Sequence, residues 1–142
     1  MDLKRKVLAY ITREIGEESQ ILVFKHKDFA EAGIQVPGGT IENEELLIDA
    51  LYREVEEETG IGREDLKLIG KVSKMKYYVD ERDRVYERNF FHLELIGQAP
   101  DRWDHTVIGG GQDDGLTFSF YWIPISELPQ LAANQDQAID FI

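Results

Sequence analysis

Apolar and β-branched residues fill Lys6 to Thr12 and Gln20 to Lys25, with the polar stretch Gly16-Glu17-Glu18-Ser19 between them, which predicts two strands joined as a hairpin. A shorter apolar piece, Ile34-Gln35-Val36, runs into Pro37-Gly38-Gly39, where the proline lacks a donor and the glycines favour a tight loop. Leu47, Ala50, Leu51 and Val55 then recur at helical spacing. Asn43 suits the N-cap, Glu44 and Glu45 suit the positive end of the dipole, and Gly60 suits the position past the last turn, so the helix is placed at about 44 to 59. Leu66 to Val79 and Val85 to Ile96 read as long strands across the charged connection Asp80 to Arg84, with Phe91, Leu93 and Leu95 on one face. Gly97 to Leu116, with Pro100, Gly109-Gly110-Gly111 and Asp113-Asp114, reads as loop. Thr117 to Ile123 reads as a further strand, and the segment after Pro129 as a carboxy-terminal helix ending in Phe141-Ile142. Strands combined with a central and a terminal helix predict an α/β domain with helices packed on a mixed sheet, one domain over residues 1–142.

Composition narrows the chemistry. The absence of cysteine excludes disulfide frameworks, thiolate zinc sites and cysteine nucleophiles, and is compatible with a reducing cytoplasm. The basic start Met1 to Lys6 leads into an apolar run broken by Thr12, Arg13 and Glu14, so no export signal is read, and no apolar stretch approaches a membrane span. A soluble, cytoplasmic protein is expected. With 28 acidic against 16 basic side chains the formal charge is −12, which repels phosphate backbones and argues against general nucleic-acid binding. An anionic substrate would therefore need a bridging cation, which clustered carboxylates can recruit.

Such a cluster stands at the end of the central helix, in Arg53-Glu54-Val55-Glu56-Glu57-Glu58. A charge run of this kind is most simply a solvated face. Its phase argues otherwise: Glu54 and Glu58 fall on the same side as the apolar stripe, with Glu57 beside them. Three acids at i, i+3 and i+4 repel one another and oppose the helix dipole. A divalent cation offsets both effects, because hard ions prefer oxygen ligands and keep waters available to a phosphate.

Gly39, five positions, Glu45, seven positions, then Arg53-Glu54-Val55-Glu56-Glu57-Glu58-Thr59-Gly60-Ile61 matches the Nudix box without a departure, and the chain resembles the Nudix hydrolases. The resemblance implies an α/β/α sandwich and a metal-dependent pyrophosphohydrolase. Its substrate would be a nucleoside diphosphate linked to another moiety, with nucleoside triphosphates and dinucleoside polyphosphates as variants. It also implies that Glu54, Glu57 and Glu58 bind Mg²⁺ or Mn²⁺, with the carbonyl of Gly39 or its neighbour as a further ligand and Glu54 as a candidate base. Arg53 is expected to orient Glu45 or Glu54, since a guanidinium cannot shuttle protons. Glu45 is alternatively a plain acid at a helix start. Some family members take the base from a later loop. Asp113 and Asp114 are the candidates here, with Glu94 a weaker one, against an ordinary Asx turn. A non-catalytic module of the same fold that binds a nucleotide or a protein is the alternative to an enzyme.

For substrate recognition, Tyr78 with its neighbour Tyr77 resembles the tyrosine found in this region of the diadenosine polyphosphate hydrolases, and a tyrosine ring offers an adenine a stacking partner. Tyrosine is equally at home on a sheet surface. The proline that marks ADP-ribose hydrolases near this position is missing. Trp103, Trp122 and Phe118 are read first as core, and His26, His92 and His105 are too scattered to suggest a metal site. Phe141-Ile142 either caps the core or joins a homodimer contact.

Overall fold

In the computed structural model, residues 2–79, 81, 83–108 and 114–142 are described. Seven strands form one mixed sheet: β1 (Asp2–Ile15), β2 (Glu18–His26), β3 (Gly38–Thr40), β4 (Leu66–Val79), β5 (Arg84–Leu95), β6 (Arg102–Thr106) and β7 (Thr117–Pro124). The order is β4-β5-β1-β2-β7-β6, with β3 paired to β1 off this path. β1 lies parallel to β5 and antiparallel to β2, and the β1–β2 hairpin turns at Gly16, whose φ of 61° is left-handed. The strands predicted at Lys6–Thr12 and Gln20–Lys25 are thus real but longer, because their charged ends still pair.

Alternation along the strands separates two apolar layers. On one face Val7, Ala9, Ile11, Phe91 and Leu93 pack against Ala50, Leu51 and Val55 of α1 (Leu47–Thr59). On the other, Leu8, Tyr10, Ile21, Val23 and Phe90 meet Val36, Leu131 and Ala138. The predicted face of Phe91, Leu93 and Leu95 is the helix face.

Four expectations need correction, the first being that Gly38 and Gly39, read as a tight loop, belong to β3 and pair with Leu8 and Val7 of β1. The helix starts at Leu47, not near 44, because Glu44 has φ 66°, a left-handed conformation that no helix continues through. Asn43 therefore caps nothing; the helix is preceded by Leu46 with no side-chain cap. Gly60, with φ 82°, ends it as expected. The stretch 97–116 is not all loop: Arg102–Thr106 is an edge strand on β7. Only Trp103 and His105 face inward on it, so its polar alternate positions hid it. After Pro129 the helix is present only as short 3₁₀ turns at Ala132–Asn134 and Ile139–Phe141, since Ala133 and Asn134 are both left-handed (φ 52° and 57°). This segment covers the sheet face opposite α1, so the two-sided architecture stands.

Candidate active site

Arg53 organises the acids at the end of α1. Its guanidinium grips Glu45 with two parallel bonds, Nε to Oε2 at 2.7 Å and Nη2 to Oε1 at 2.9 Å. Its Nη1 donates to Glu54 Oε1 at 2.9 Å and to Glu57 Oε2 at 3.3 Å. Nη2 also reaches the carbonyl of Thr40 at 3.2 Å, tying the helix to β3. One planar cation thus offsets the repulsion among three carboxylates, an arrangement lysine's point charge does not reproduce. The bond from Arg53 holds the Glu45 carboxyl below the usual carboxylate range, and the same bond raises the guanidinium further.

Glu58 turns elsewhere. It is buried, and its Oε1 accepts the N–H of Gly38 at 2.9 Å. β3 holds Gly38 and Gly39 opposite Leu8 and Val7. A β-carbon at Gly39 would overlap the Glu54 carboxylate, so that carboxylate rests directly on the glycine backbone.

The carboxy end of α1 is secured by two side chains that were predicted to lie in a loop. Trp103 Nε1 donates to the carbonyl of Thr59 at 2.9 Å, and His105 Nε2 meets the carbonyl of Glu57 at 3.0 Å. Both satisfy carbonyls that a helix end leaves open. Thr59 adds its own hydroxyl, donating to Val55 O and accepting from Ile61 N. Period-two alternation through Trp103, His105 and Val107 was the available signal for this clamp.

Among the described residues, no three Asp, Glu or His side chains are posed together around a common ion. Glu54 and Glu57 face Arg53 while Glu58 faces Gly38. The donor set nonetheless suits a hard cation, being carboxylate and carbonyl oxygen throughout. Positions 54, 57 and 58 lie within about one helical turn of one another.

Of the other predicted residues, Tyr77 and Tyr78 part company. Tyr77 stacks on Tyr86, directly opposite on β5, with centroids 5.0 Å apart and planes at 14°. It lines a cavity of about 310 Å³ whose wall also includes Gly38, Gly39 and Glu58. Tyr78 points to the other face, where its hydroxyl donates to Asp83 at 2.9 Å, and it does not line that cavity. Asp114 is exposed in the turn before β7, and Asp113 lies outside the described residues. Glu94 pairs in register with Thr12, well along β1 from Val7 and Gly39, so it stands away from the acidic helix end. Phe118 is core, stacked on Phe24 at 4.2 Å, and Trp122 packs beneath the Arg13 guanidinium. Tyr86 and Arg88, two further residues of the cavity wall, were missed; their place opposite Tyr77 and Met75 on a paired strand was the signal.

The chain belongs to the NUDIX family: residues 2–141 match the NUDIX domain. It is 43% identical over 117 residues to an RNA pyrophosphohydrolase of Thioalkalivibrio sulfidiphilus, covering 75% of this chain and 66% of that protein. It is 30% identical over 104 residues to an RNA pyrophosphohydrolase of Ectopseudomonas mendocina, covering 66% and 65% respectively. The chain thus spans just under two thirds of the length of these curated relatives. Among solved structures, the MutT NUDIX hydrolase from Burkholderia pseudomallei shares its fold with a TM-score of 0.69 at 19% identity, covering 100% of this chain and 99% of that one. No helix among the described residues is long and apolar enough to cross a membrane.

Proposed function

We propose that residues 1–142 act as one metal-dependent nucleotide pyrophosphohydrolase domain that cleaves a phosphoanhydride bond with water. The observation that carries this reading is the pair Glu54 and Glu57 on a single nitrogen of Arg53, beside a cavity walled by Glu58, Gly38 and Gly39. Glu54, Glu57 and Glu58, with the Gly39 carbonyl, would hold Mg²⁺ or Mn²⁺. Such an ion lowers the pKa of a bound water and neutralises charge on the diphosphate. The protein's own share is to orient the carboxylates through Arg53 and to seat the phosphates against the glycine backbone of β3. Glu54, resting on Gly39, is the candidate base within the box; Asp114 is the alternative from the turn before β7.

The substrate is a nucleoside diphosphate linked to another group, and the cytoplasm is the compartment in which a cysteine-free nucleotide hydrolase fits. The names of the two curated relatives favour a second, narrower reading in which the other group is an RNA chain and the scissile phosphates are its 5′ end. With a charge of −12 the protein would grip only the terminus of such a chain. The deciding experiment is a panel of nucleoside triphosphates, dinucleoside polyphosphates, nucleotide sugars and 5′-triphosphorylated oligonucleotides, each with and without Mg²⁺ or Mn²⁺. Metal-dependent release of phosphate or a monophosphate supports the hydrolase. Tight binding of a nucleotide with no turnover across the panel would instead make the chain a non-catalytic member of its family.

A further inference from the structure

The cavity lined by Glu58, Gly38 and Gly39 is also lined by two cationic side chains, Lys6 and Arg88. Arg88 is 8% exposed, yet among the described residues no carboxylate pairs with it. Its Nη1 donates to two neutral oxygens, the carbonyl of Ala133 at 2.6 Å and Oε1 of Gln137 at 2.9 Å. Its guanidinium also lies over the Tyr77 ring, 5.0 Å from the centroid. Lys6, in register with Arg88 on the neighbouring strand, likewise meets no acid among the described residues and approaches only the Tyr86 ring, at 6.0 Å. Burying a cation without a counter-ion is costly, and more conspicuous in a chain whose formal net charge is −12. Such a pair on a cavity wall is complementary to an anion. The Tyr77–Tyr86 stack next to it adds aromatic surface.

We propose that Lys6 and Arg88 form a second anion subsite, which takes a phosphate ester of the substrate nucleotide that is not the one hydrolysed. This deepens the proposed pyrophosphohydrolase reading: the anhydride lies at the Glu58 end, and a further phosphate on the same nucleotide lies at the Arg88 end. The chemistry is shared by a terminal 3′-phosphate and by the phosphodiester that continues an RNA chain.

The test is binding without metal, so it stands apart from hydrolysis. In EDTA, titration calorimetry compares adenosine 5′-monophosphate with adenosine 3′,5′-bisphosphate and with the dinucleotide pApA. At least about 10-fold tighter binding of the bisphosphate or pApA than of the monophosphate is expected, with the advantage shrinking as salt is raised. A lead of pApA identifies the phosphodiester as the source, and a lead of the bisphosphate the terminal phosphate. Lys6→Gln and Arg88→Gln should each erase most of that advantage. Should Arg88→Gln fail to fold, because Arg88 also anchors Ala133, the exposed-side partner Lys6→Gln decides alone. Equal affinity for all three ligands, or an undiminished advantage in Lys6→Gln, overturns the subsite while leaving the hydrolase reading intact.

Discussion

The Glu54 carboxylate lies on the backbone of Gly39, so closely that a β-carbon there would occupy the same space. The neighbouring glycine faces a different obstacle: a β-carbon at Gly38 would stand 2.5 Å from the carbonyl oxygen of Val7 and 3.2 Å from Leu8 Cα. The two glycines therefore report on different things. Gly39→Ala displaces a flexible carboxylate and should cost little stability while weakening metal-dependent activity about 10- to 100-fold. Gly38→Ala collides with the backbone of β1 and should lower stability by about 1 to 3 kcal/mol. Paired thermal melts and rate measurements check this; equal effects of both variants on both properties would contradict it.

Arg53 is the orienting centre, and Lys cannot reproduce its fork. Arg53→Lys keeps the charge but loses the paired hydrogen bonds to Glu45 and the simultaneous hold on Glu54 and Glu57. The expected loss in kcat is about 10- to 100-fold. Steady-state kinetics at saturating metal test it, and a variant with full activity would remove Arg53 from the site.

Trp103→Phe removes one N–H from the end of α1 while keeping the ring stacked on Phe120. The stability cost should be about 0.5 to 1.5 kcal/mol, the worth of one hydrogen bond. Denaturant unfolding of the two proteins measures it. No loss at all would mean that water replaces the indole.

Glu87 gives the pH dependence. It is buried, and its carboxyl is held below its ordinary value by the hydrogen bond from Arg5 at 2.9 Å, with Asn89 and Lys74 contributing. A group lowered in the folded state stabilises the protein fully above its unfolded pKa, near the ordinary value of 4.5, and the contribution disappears as pH falls through the folded value. Wild type should therefore lose stability more steeply below that point than Glu87→Gln does. Melting temperatures from neutral pH down into the acid range compare the slopes, and identical slopes would contradict the assignment.

Much of this architecture is legible in the chain because burial there follows a single period. Leu47, Ala50, Leu51 and Val55 announce α1, and Phe91 and Leu93 announce the inner face of β5. What stays hidden is set by contacts distant in sequence. β6 is polar at alternate positions and earns its pairing from β7, so local preference cannot reveal it. The helix start depends on a left-handed Glu44, which propensity does not anticipate. In the site, the acids are readable by spacing, whereas Lys6, Tyr86 and Arg88 meet only through strand register.

The central proposition is that the acids at the end of α1 gather on one divalent ion. Mn²⁺ binding followed by electron paramagnetic resonance tests it directly, in the wild type and in Glu54→Gln, Glu57→Gln and Glu58→Gln. Bound Mn²⁺ in the wild type, with affinity at least about 10-fold weaker in each variant, is the predicted result. Mn²⁺ affinity unchanged by all three substitutions would contradict it.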